Sequence, residues 1–228
     1  MKIKSNFAVL GSLLLASVSA NAALTSVTTS AYDAADIIST GTQIVALNAT
    51  GAGTATGTTT EGGVTWTNFN AASAATAGVS LFGGVTSNST VGTAGGLTAS
   101  AVFNGPANNG LLAFSGLADG NYVVQLILSD LRPVLLPNDT LDVYFDDTNS
   151  AGTLDATVDV EGVGGMITAN FSITGGATQN IYLVQSTAVG DFDGGISAFQ
   201  VRTVPVPEPS STALLGLGGL ALILRRRK

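Results

Sequence analysis

The segment Ile167-Thr168-Ala169-Asn170-Phe171-Ser172-Ile173 alternates apolar and polar residues at every position. Because successive side chains of a β-strand point to opposite faces, this pattern predicts a strand with one buried and one exposed face. The alternation recurs in Leu154–Glu161 and in Leu141–Asp146, where it places Tyr144 outward. Such strands are typical of antiparallel sheets that cover a core on one side and face water on the other.

Seven further segments extend this pattern. Tyr122–Ser129 carries apolar residues on both faces, which predicts a central strand. Turn-forming Gly, Asn, Asp, Ser and Thr separate the segments, and the low-complexity stretches 49–60 and 86–96 are expected to be long loops or irregular edge strands. The other predicted strands are Gln43–Leu47, Val64–Phe69, Val79–Phe82, Leu111–Phe114, Asn180–Gln185 and Gly195–Val201.

These strands indicate one all-β domain over residues 23–203. The preferred architecture is an antiparallel two-sheet β-sandwich of the jelly-roll type. An immunoglobulin-like sandwich is the alternative. A parallel β-helix ranks third, because the chain shows no repeat of fixed period.

Composition excludes several kinds of chemistry. The 228 residues include no histidine and no cysteine, so a Ser–His–Asp triad, a thiol nucleophile, a structural zinc site and a disulfide framework are all ruled out. Between the chain ends only Arg132 and Arg202 are basic, whereas all 15 acidic residues except Glu208 lie there. Nucleic acid is therefore not an expected partner, because phosphate binding requires clustered Lys and Arg.

The N-terminal segment is typical of an export signal. Lys2 and Lys4 precede an apolar run over residues 7–18, and Ala20 and Ala22 form a small-x-small cleavage site. Residues 1–22 are therefore predicted to be a signal peptide, removed by the export machinery. A buried N-terminal helix is the alternative interpretation.

The C-terminal segment, residues 204–228, has three parts. A proline-rich stretch at 204–209 is stiff and extended. An apolar segment at 213–224 is short for a transmembrane helix, since about 20 residues normally cross the hydrocarbon core. A basic cluster at 225–228 is expected to stay cytoplasmic, with the acidic body on the other side of the membrane. This arrangement predicts a temporary membrane anchor.

Together these parts resemble the PEP-CTERM sorting signal of Gram-negative bacteria. The resemblance implies that Pro207, Glu208 and Pro209 are the recognition motif, and it assigns the retention charge to the cluster Arg225, Arg226, Arg227 and Lys228. It further implies that an exosortase in the inner membrane removes the tail and releases the protein to the cell surface or extracellular matrix. A sortase signal would need a Leu-Pro-x-Thr-Gly motif, which the chain lacks.

Part of the body is similar to malectin-like and galactose-binding-like jelly rolls. The similarity covers the strand that follows Leu117-Ala118-Asp119-Gly120-Asn121-Tyr122 and the closing segment Asp193–Val201. Such folds often bind sugars, although a fold alone does not establish an activity.

Carboxylates and aromatic residues are the candidate functional groups. Asp155, Asp159 and Glu161 share a strand face that the alternation places in water, which suits solubility better than a two-carboxylate glycosidase site, and Glu61 is isolated. Trp66 and Tyr144 are candidate platforms for sugar binding, although a lone tryptophan is more often a core residue.

No cofactor is expected, but structural calcium is an option. Acidic turns at 146–149 and 191–194 offer oxygen ligands, and Asp191 and Asp193 are the preferred candidates. Neither turn has EF-hand spacing, and Asp and Asn also favour turns through local hydrogen bonds.

The function expected from the sequence is that of an exported, exosortase-processed surface or matrix protein with a structural or adhesive role and no catalytic activity. A carbohydrate-binding module that recognises exopolysaccharide is the first alternative. A carboxylate-dependent glycoside hydrolase is the second.

Overall fold

The computed structural model contains fourteen β-strands and two short 3₁₀ helices, Ala34–Asp36 and Gly96–Thr98, in the part of the chain that it describes. The described residues are 20–50, 57–69, 79–81, 87–90, 96–98, 100–103, 110–129, 140–146, 151–160, 164–185 and 196–204.

The strands are numbered in chain order. They are β1 (Asn21–Ala31), β2 (Gln43–Ala49), β3 (Thr58–Glu61), β4 (Val64–Phe69), β5 (Val79–Leu81), β6 (Ser87–Thr90), β7 (Ser100–Phe103), β8 (Gly110–Phe114), β9 (Gly120–Leu128), β10 (Thr140–Phe145), β11 (Ala156–Asp159), β12 (Gly165–Thr174), β13 (Gln179–Gln185) and β14 (Ala198–Thr203).

Two large sheets form the domain. The seven-stranded sheet has the order β1-β12-β9-β14-β2-β4-β3, and the five-stranded sheet has the order β11-β10-β13-β8-β5. All pairs in both sheets are antiparallel except β2 and β4, which are parallel. Strands β6 and β7 pair in a separate two-stranded sheet. The prediction of an all-β, mainly antiparallel, two-sheet sandwich is confirmed.

The main core lies between the two large sheets. The seven-stranded sheet contributes Leu126, Phe171 and Phe199, and the five-stranded sheet contributes Leu141 and Leu183 to the same cluster. Each of these side chains is at most 1% exposed. Burial of one such side chain stabilises the fold by about 1.5–3 kcal/mol, so in a chain without cysteine this cluster is the main source of stability.

The outer face of the seven-stranded sheet is covered as well. The segment between β1 and β2, residues 32–42, returns across this face, and Ile37 packs there with Trp66, Leu97 and Ile127 in a second buried cluster. The hairpin between β3 and β4 supports this layer. Its Gly62 has φ +59°, and a side chain at this position would collide with Ile37.

Both ends of the described domain lie at the same end of the sandwich. Asn21, the first residue of β1, pairs with Thr174 at the end of β12. After β14, the Val204 N–H donates to the Asn121 carbonyl oxygen at 2.9 Å. Asn121 pairs with Ser172, two residues from Thr174. The chain therefore enters and leaves the domain at the same end of the sandwich, which we call its pole.

The ten predicted strands all overlap observed strands, and two observed strands, β1 and β7, were not predicted. The edge strand β3 and the strand β6 fall on the stretches 49–60 and 86–96, for which loops or irregular edge strands were expected. One predicted strand is too long. β11 begins only at Ala156, and Leu154, expected to face the core, is 49% exposed. Asp155 is half-buried rather than solvated, because its Oδ2 accepts a hydrogen bond from the Phe145 N–H at 2.7 Å.

The two membrane-directed segments fall largely outside the described residues. The predicted signal peptide is described only from Ala20 onward, and Ala22 lies in β1. The sorting motif, the apolar segment and the basic cluster, residues 205–228, lie wholly outside.

Candidate functional site

The outer face of the five-stranded sheet carries a pair of partly exposed tyrosines. Tyr144 of β10 and Tyr182 of β13 are directly opposite each other in the antiparallel register. Their ring centroids are 6.4 Å apart, with an interplanar angle of 56°. The neighbours of each tyrosine along its strand point into the core, so the two rings face away from it. Among the described residues, this pair is a candidate aromatic platform for a ligand.

Hydrogen-bonding groups flank the tyrosine pair on the same face. Asp142 lies two residues from Tyr144 along β10, and its Oδ1 accepts a hydrogen bond from the Thr157 hydroxyl at 2.6 Å. Asn180 lies two residues from Tyr182 along β13, and it is half-buried. An aromatic surface bordered by carboxylate, hydroxyl and amide groups can stack on an apolar ring face and bond to hydroxyls at its edge.

Trp66, the other sequence-based candidate, is in the second core cluster. Its side chain is 0% exposed, and its indole N–H donates to the Glu61 carbonyl oxygen at 3.2 Å. Both faces of the ring are covered by protein, so the structure places Trp66 in its alternative role, that of a core residue.

Glu61 joins three separate segments rather than standing isolated. Its Oε1 accepts a short hydrogen bond from the Tyr32 hydroxyl, and its Oε2 accepts one from the Leu97 N–H at 3.0 Å. Partial burial raises the pKa of Tyr32 above its ordinary value, and the hydrogen bond to Glu61, together with the charges of Glu61 and Asp33, raises it further. The arrangement closes the second cluster at its edge, which is a structural role.

We expect Tyr32→Phe to remove a component of the alkaline unfolding. The folded state holds the Tyr32 proton more tightly than the unfolded chain does. The contribution of this residue to the free energy of unfolding is therefore complete below pH 10.0, the ordinary tyrosine pKa, and is lost as the pH rises above it. The free energy of unfolding of the variant should be about 1–2 kcal/mol lower than that of the wild type at pH 7, and it should decrease less steeply above pH 10.0. Urea unfolding at a series of pH values measures both effects. An alkaline decline equal to that of the wild type would contradict this assignment.

A buried polar row crosses the outer face of the seven-stranded sheet. The Gln125 Oε1 accepts hydrogen bonds from the Ile38 N–H at 2.8 Å and from the Gln200 side-chain amide at 2.7 Å. Next in the row, Arg202 donates to the carbonyl oxygens of Ser39, Thr40 and Gly41 at 2.8–2.9 Å.

Arg202 also donates to the amide oxygens of Gln43 and Gln200, at 3.2 Å and 3.3 Å. It is only 7% exposed, and burial lowers its pKa. All these hydrogen-bond acceptors are neutral oxygens. The guanidinium therefore acts as a clamp, by which we mean that it holds the covering segment, residues 32–42, against the sheet, rather than as an anion site.

The metal prediction falls outside the described residues, since Asp191 and Asp193 are not among them. Within the described ranges, no group of three or more acidic side chains is arranged to hold a metal ion. Asp119 and Asp146 instead accept hydrogen bonds from the Gly176 N–H and the Gln179 amide, at 3.1 Å and 2.7 Å. Of the carboxylates weighed as catalytic, Asp159 is exposed and Glu161 lies outside the described part of the chain.

Sequence reasoning missed Tyr182 and the buried polar row. Tyr182 occupies an outward position of the predicted strand Asn180–Gln185, so the alternation contains its signal. Its pairing with Tyr144 depends on the register between two strands that lie far apart in sequence, which the alternation does not specify.

Comparison with known proteins supports the reading of the C-terminus. Residues 205–228 match the PEP-CTERM protein-sorting motif. No curated protein matches the chain. Among the part of the chain that the structure describes, there is no helix with the length and apolar character needed to cross a membrane.

Several solved structures are similar to this chain, at low sequence identity. The plant receptor-like kinase ANX2 is 11% identical with a TM-score of 0.50, and the alignment covers 72% of this chain and 49% of that one. The ANX2 ectodomain from Arabidopsis thaliana is 11% identical with a TM-score of 0.49, and the alignment covers 72% of this chain and 50% of that one. Protein YxiM from Bacillus subtilis is 11% identical with a TM-score of 0.44, and the alignment covers 70% of this chain and 40% of that one. The alignment thus covers half or less of the length of each of these three chains.

The fold and the motif together define a class. The chain is a β-sandwich protein with a PEP-CTERM sorting motif at its C-terminal end, and its fold is similar to that of the plant receptor-like kinase ANX2. The motif implies an exported protein that is sorted to the cell surface and processed by an exosortase.

Proposed function

We propose that this protein is a non-catalytic component of the cell surface or extracellular matrix, with a structural or adhesive role. The observation that carries the proposal is the sorting motif at residues 205–228, which begins directly after the last described residue of the sandwich. The export signal predicted at residues 1–22 agrees with it. In this proposal the short apolar segment anchors the chain in the inner membrane of a Gram-negative bacterium until the exosortase releases it.

The placement of the chain ends supports this route. Asn21 and Val204 lie at the same pole of the sandwich, so a signal peptide and a C-terminal anchor can occupy one membrane while the domain folds beside it. The sequence between the sandwich and the apolar segment is short and rich in proline, and a chain of this composition typically spans only about 3.1 Å per residue, so in this proposal the domain stays close to that membrane.

We take the sandwich to be a jelly roll. Consecutive strands repeatedly cross between the two sheets: β8 lies in the five-stranded sheet, β9 in the seven-stranded one, β10 in the first again, and β12, β13 and β14 alternate in the same way. Such crossing connections, rather than hairpins within one sheet, are typical of jelly rolls.

Processing by exosortase gives the direct test. In cells that contain the enzyme, the protein is expected in a shortened form outside the inner membrane. In cells without it, a form that lacks the signal peptide but keeps the C-terminal segment should accumulate in the membrane. Replacement of Pro207, Glu208 and Pro209 by alanine should reproduce the second result, whereas Val206→Ala is a control that leaves the motif intact. One form with the same C-terminal end, found in the same fraction of all strains, would contradict the proposal.

A carbohydrate-binding module is the second candidate function. The observation that favours it is the pair Tyr144 and Tyr182, which presents two partly exposed rings on an outer sheet face. This candidate is compatible with the first, because a matrix component can adhere by binding exopolysaccharide.

A further inference from the structure

We infer that the outer face of the five-stranded sheet binds a polysaccharide of neutral or amino sugars across the Tyr144–Tyr182 pair, and discriminates against acidic polysaccharides. This inference rests on the carbohydrate-binding candidate described above. It adds the position of the site and the charge class of the ligand.

The first argument is the arrangement of apolar groups. Tyr144 pairs with Tyr182, and Tyr182 pairs with Leu111 of β8, so the three side chains form a row perpendicular to the strands. Neighbouring strands are about 4.8 Å apart, which makes the row about 10 Å long. The centroids of the two tyrosine rings are 6.4 Å apart, so the two rings can contact different sugar units of one chain. The row can therefore accept consecutive sugar units on the apolar faces of their rings.

The second argument is the distribution of polar groups beside this row. Asp142 and Thr157 lie in the next cross-strand row on one side, and Asn180 lies on the other. Carboxylate, hydroxyl and amide groups together offer both donors and acceptors, which is what sugar hydroxyls require. The hydrogen bond between Thr157 and Asp142 orients the carboxylate while leaving further acceptor positions on it.

The third argument is charge. Asp142 and Asp159 place two carboxylates on this face. The only basic residue in the described ranges is Arg202, which is 7% exposed and lies in the other sheet. A uronate or sulfate group would meet like charge here, and among the described residues no exposed cation compensates it, whereas a neutral hydroxyl or a protonated amine would meet no such repulsion.

The test uses the full-length chain in mild detergent and isothermal titration calorimetry. The probes are a neutral β-glucan oligosaccharide, a chitosan oligosaccharide and an alginate oligosaccharide. We expect binding to the glucan, the chitosan or both, and no binding to alginate. Tyr144→Ala and Tyr182→Ala should each weaken binding up to about tenfold, because one aromatic contact is worth about one such factor.

Three control variants separate binding from folding. Tyr144→Phe and Tyr182→Phe keep the rings and should bind nearly as well as the wild type. Ile44→Ala removes a side chain that is 47% exposed on the other sheet, and it should leave binding unchanged. Each variant should retain the near-UV circular dichroism of the folded protein.

The inference is overturned if neither the glucan nor the chitosan binds, if alginate binds more tightly than both, or if the folded double alanine variant binds as the wild type does. None of these results bears on sorting, which the exosortase comparison tests separately. Conversely, normal sugar binding by a chain that is never processed would contradict the proposed route and leave the binding face intact.

Discussion

Phe199→Ala is expected to lower the free energy of unfolding by about 3–5 kcal/mol, the usual cost of removing a large buried aromatic side chain. Phe199 is 0% exposed, and its ring packs against Phe69 of the same sheet with centroids 6.2 Å apart and against Phe114 of the opposite sheet at 5.9 Å. The residue therefore links the two sheets at the centre of the core. Because the free energy of unfolding of a domain of ordinary size is only about 5–15 kcal/mol, this one substitution removes a large part of the stability.

Urea denaturation followed by circular dichroism measures the effect of Phe199→Ala. Ile44→Ala is the matched control, since it shortens an apolar side chain that is already 47% exposed, and surface changes usually stay within about 0.5 kcal/mol. A loss below about 1 kcal/mol for Phe199→Ala would mean that the two sheets do not pack through this residue.

Arg202→Ala should have the second-largest effect, a loss of about 3 kcal/mol. The guanidinium holds the carbonyl oxygens of Ser39, Thr40 and Gly41 at 2.8–2.9 Å, and hydrogen bonds from a charged donor contribute about 1.5–3 kcal/mol each. The net loss is smaller than the sum of these hydrogen bonds, because water can reach the freed carbonyl oxygens once residues 32–42 loosen. A net loss remains because the side chains of Gln125 and Gln200 stay buried under this segment.

Hydrogen exchange distinguishes this clamp from a general contribution to stability. In Arg202→Ala the amide of Ile38, which is bonded to Gln125, should exchange faster than the amides of β12. Gln43→Ala removes one weak acceptor of Arg202 at 3.2 Å and one exposed hydrogen bond to the Thr65 carbonyl oxygen at 3.3 Å, and it should change neither the exchange of Ile38 nor the stability by much. Uniformly faster exchange throughout the domain would argue against a local clamp.

The strands were predictable where one face of the sheet is buried and the other is wet. β12 shows this best, since Ile167, Ala169, Phe171 and Ile173 are buried and the residues between them are partly exposed. The signal is local, because burial on one face selects every second residue. It failed for β1, whose Ser and Thr content hides the alternation and whose start overlaps the predicted signal peptide.

The second buried layer was not predictable from local pattern. β14 is buried on both faces because residues 32–42 cover the outer side of its sheet, so Gln200 and Arg202 are inside the protein although they are polar. A covering segment about 160 residues away in sequence leaves no periodicity in β14 itself. The same reason explains why Glu61, isolated in sequence, is a point of contact for three segments in the structure.

The candidate site was predictable in part. Alternation placed Tyr144 outward, and the structure agrees. Alternation also applies to Tyr182, but only the strand register brings the two rings together. Trp66 could not be assigned from its neighbours, because the residues that bury it, Ile37 and Leu97, belong to distant segments.

Intact-mass analysis of the protein from the extracellular fraction tests the central claim most directly. We predict one species that begins at Ala23 and ends before the apolar segment at residue 213, so that both membrane-directed ends have been removed. An uncut chain of 228 residues, recovered from the cytoplasm, would contradict the account.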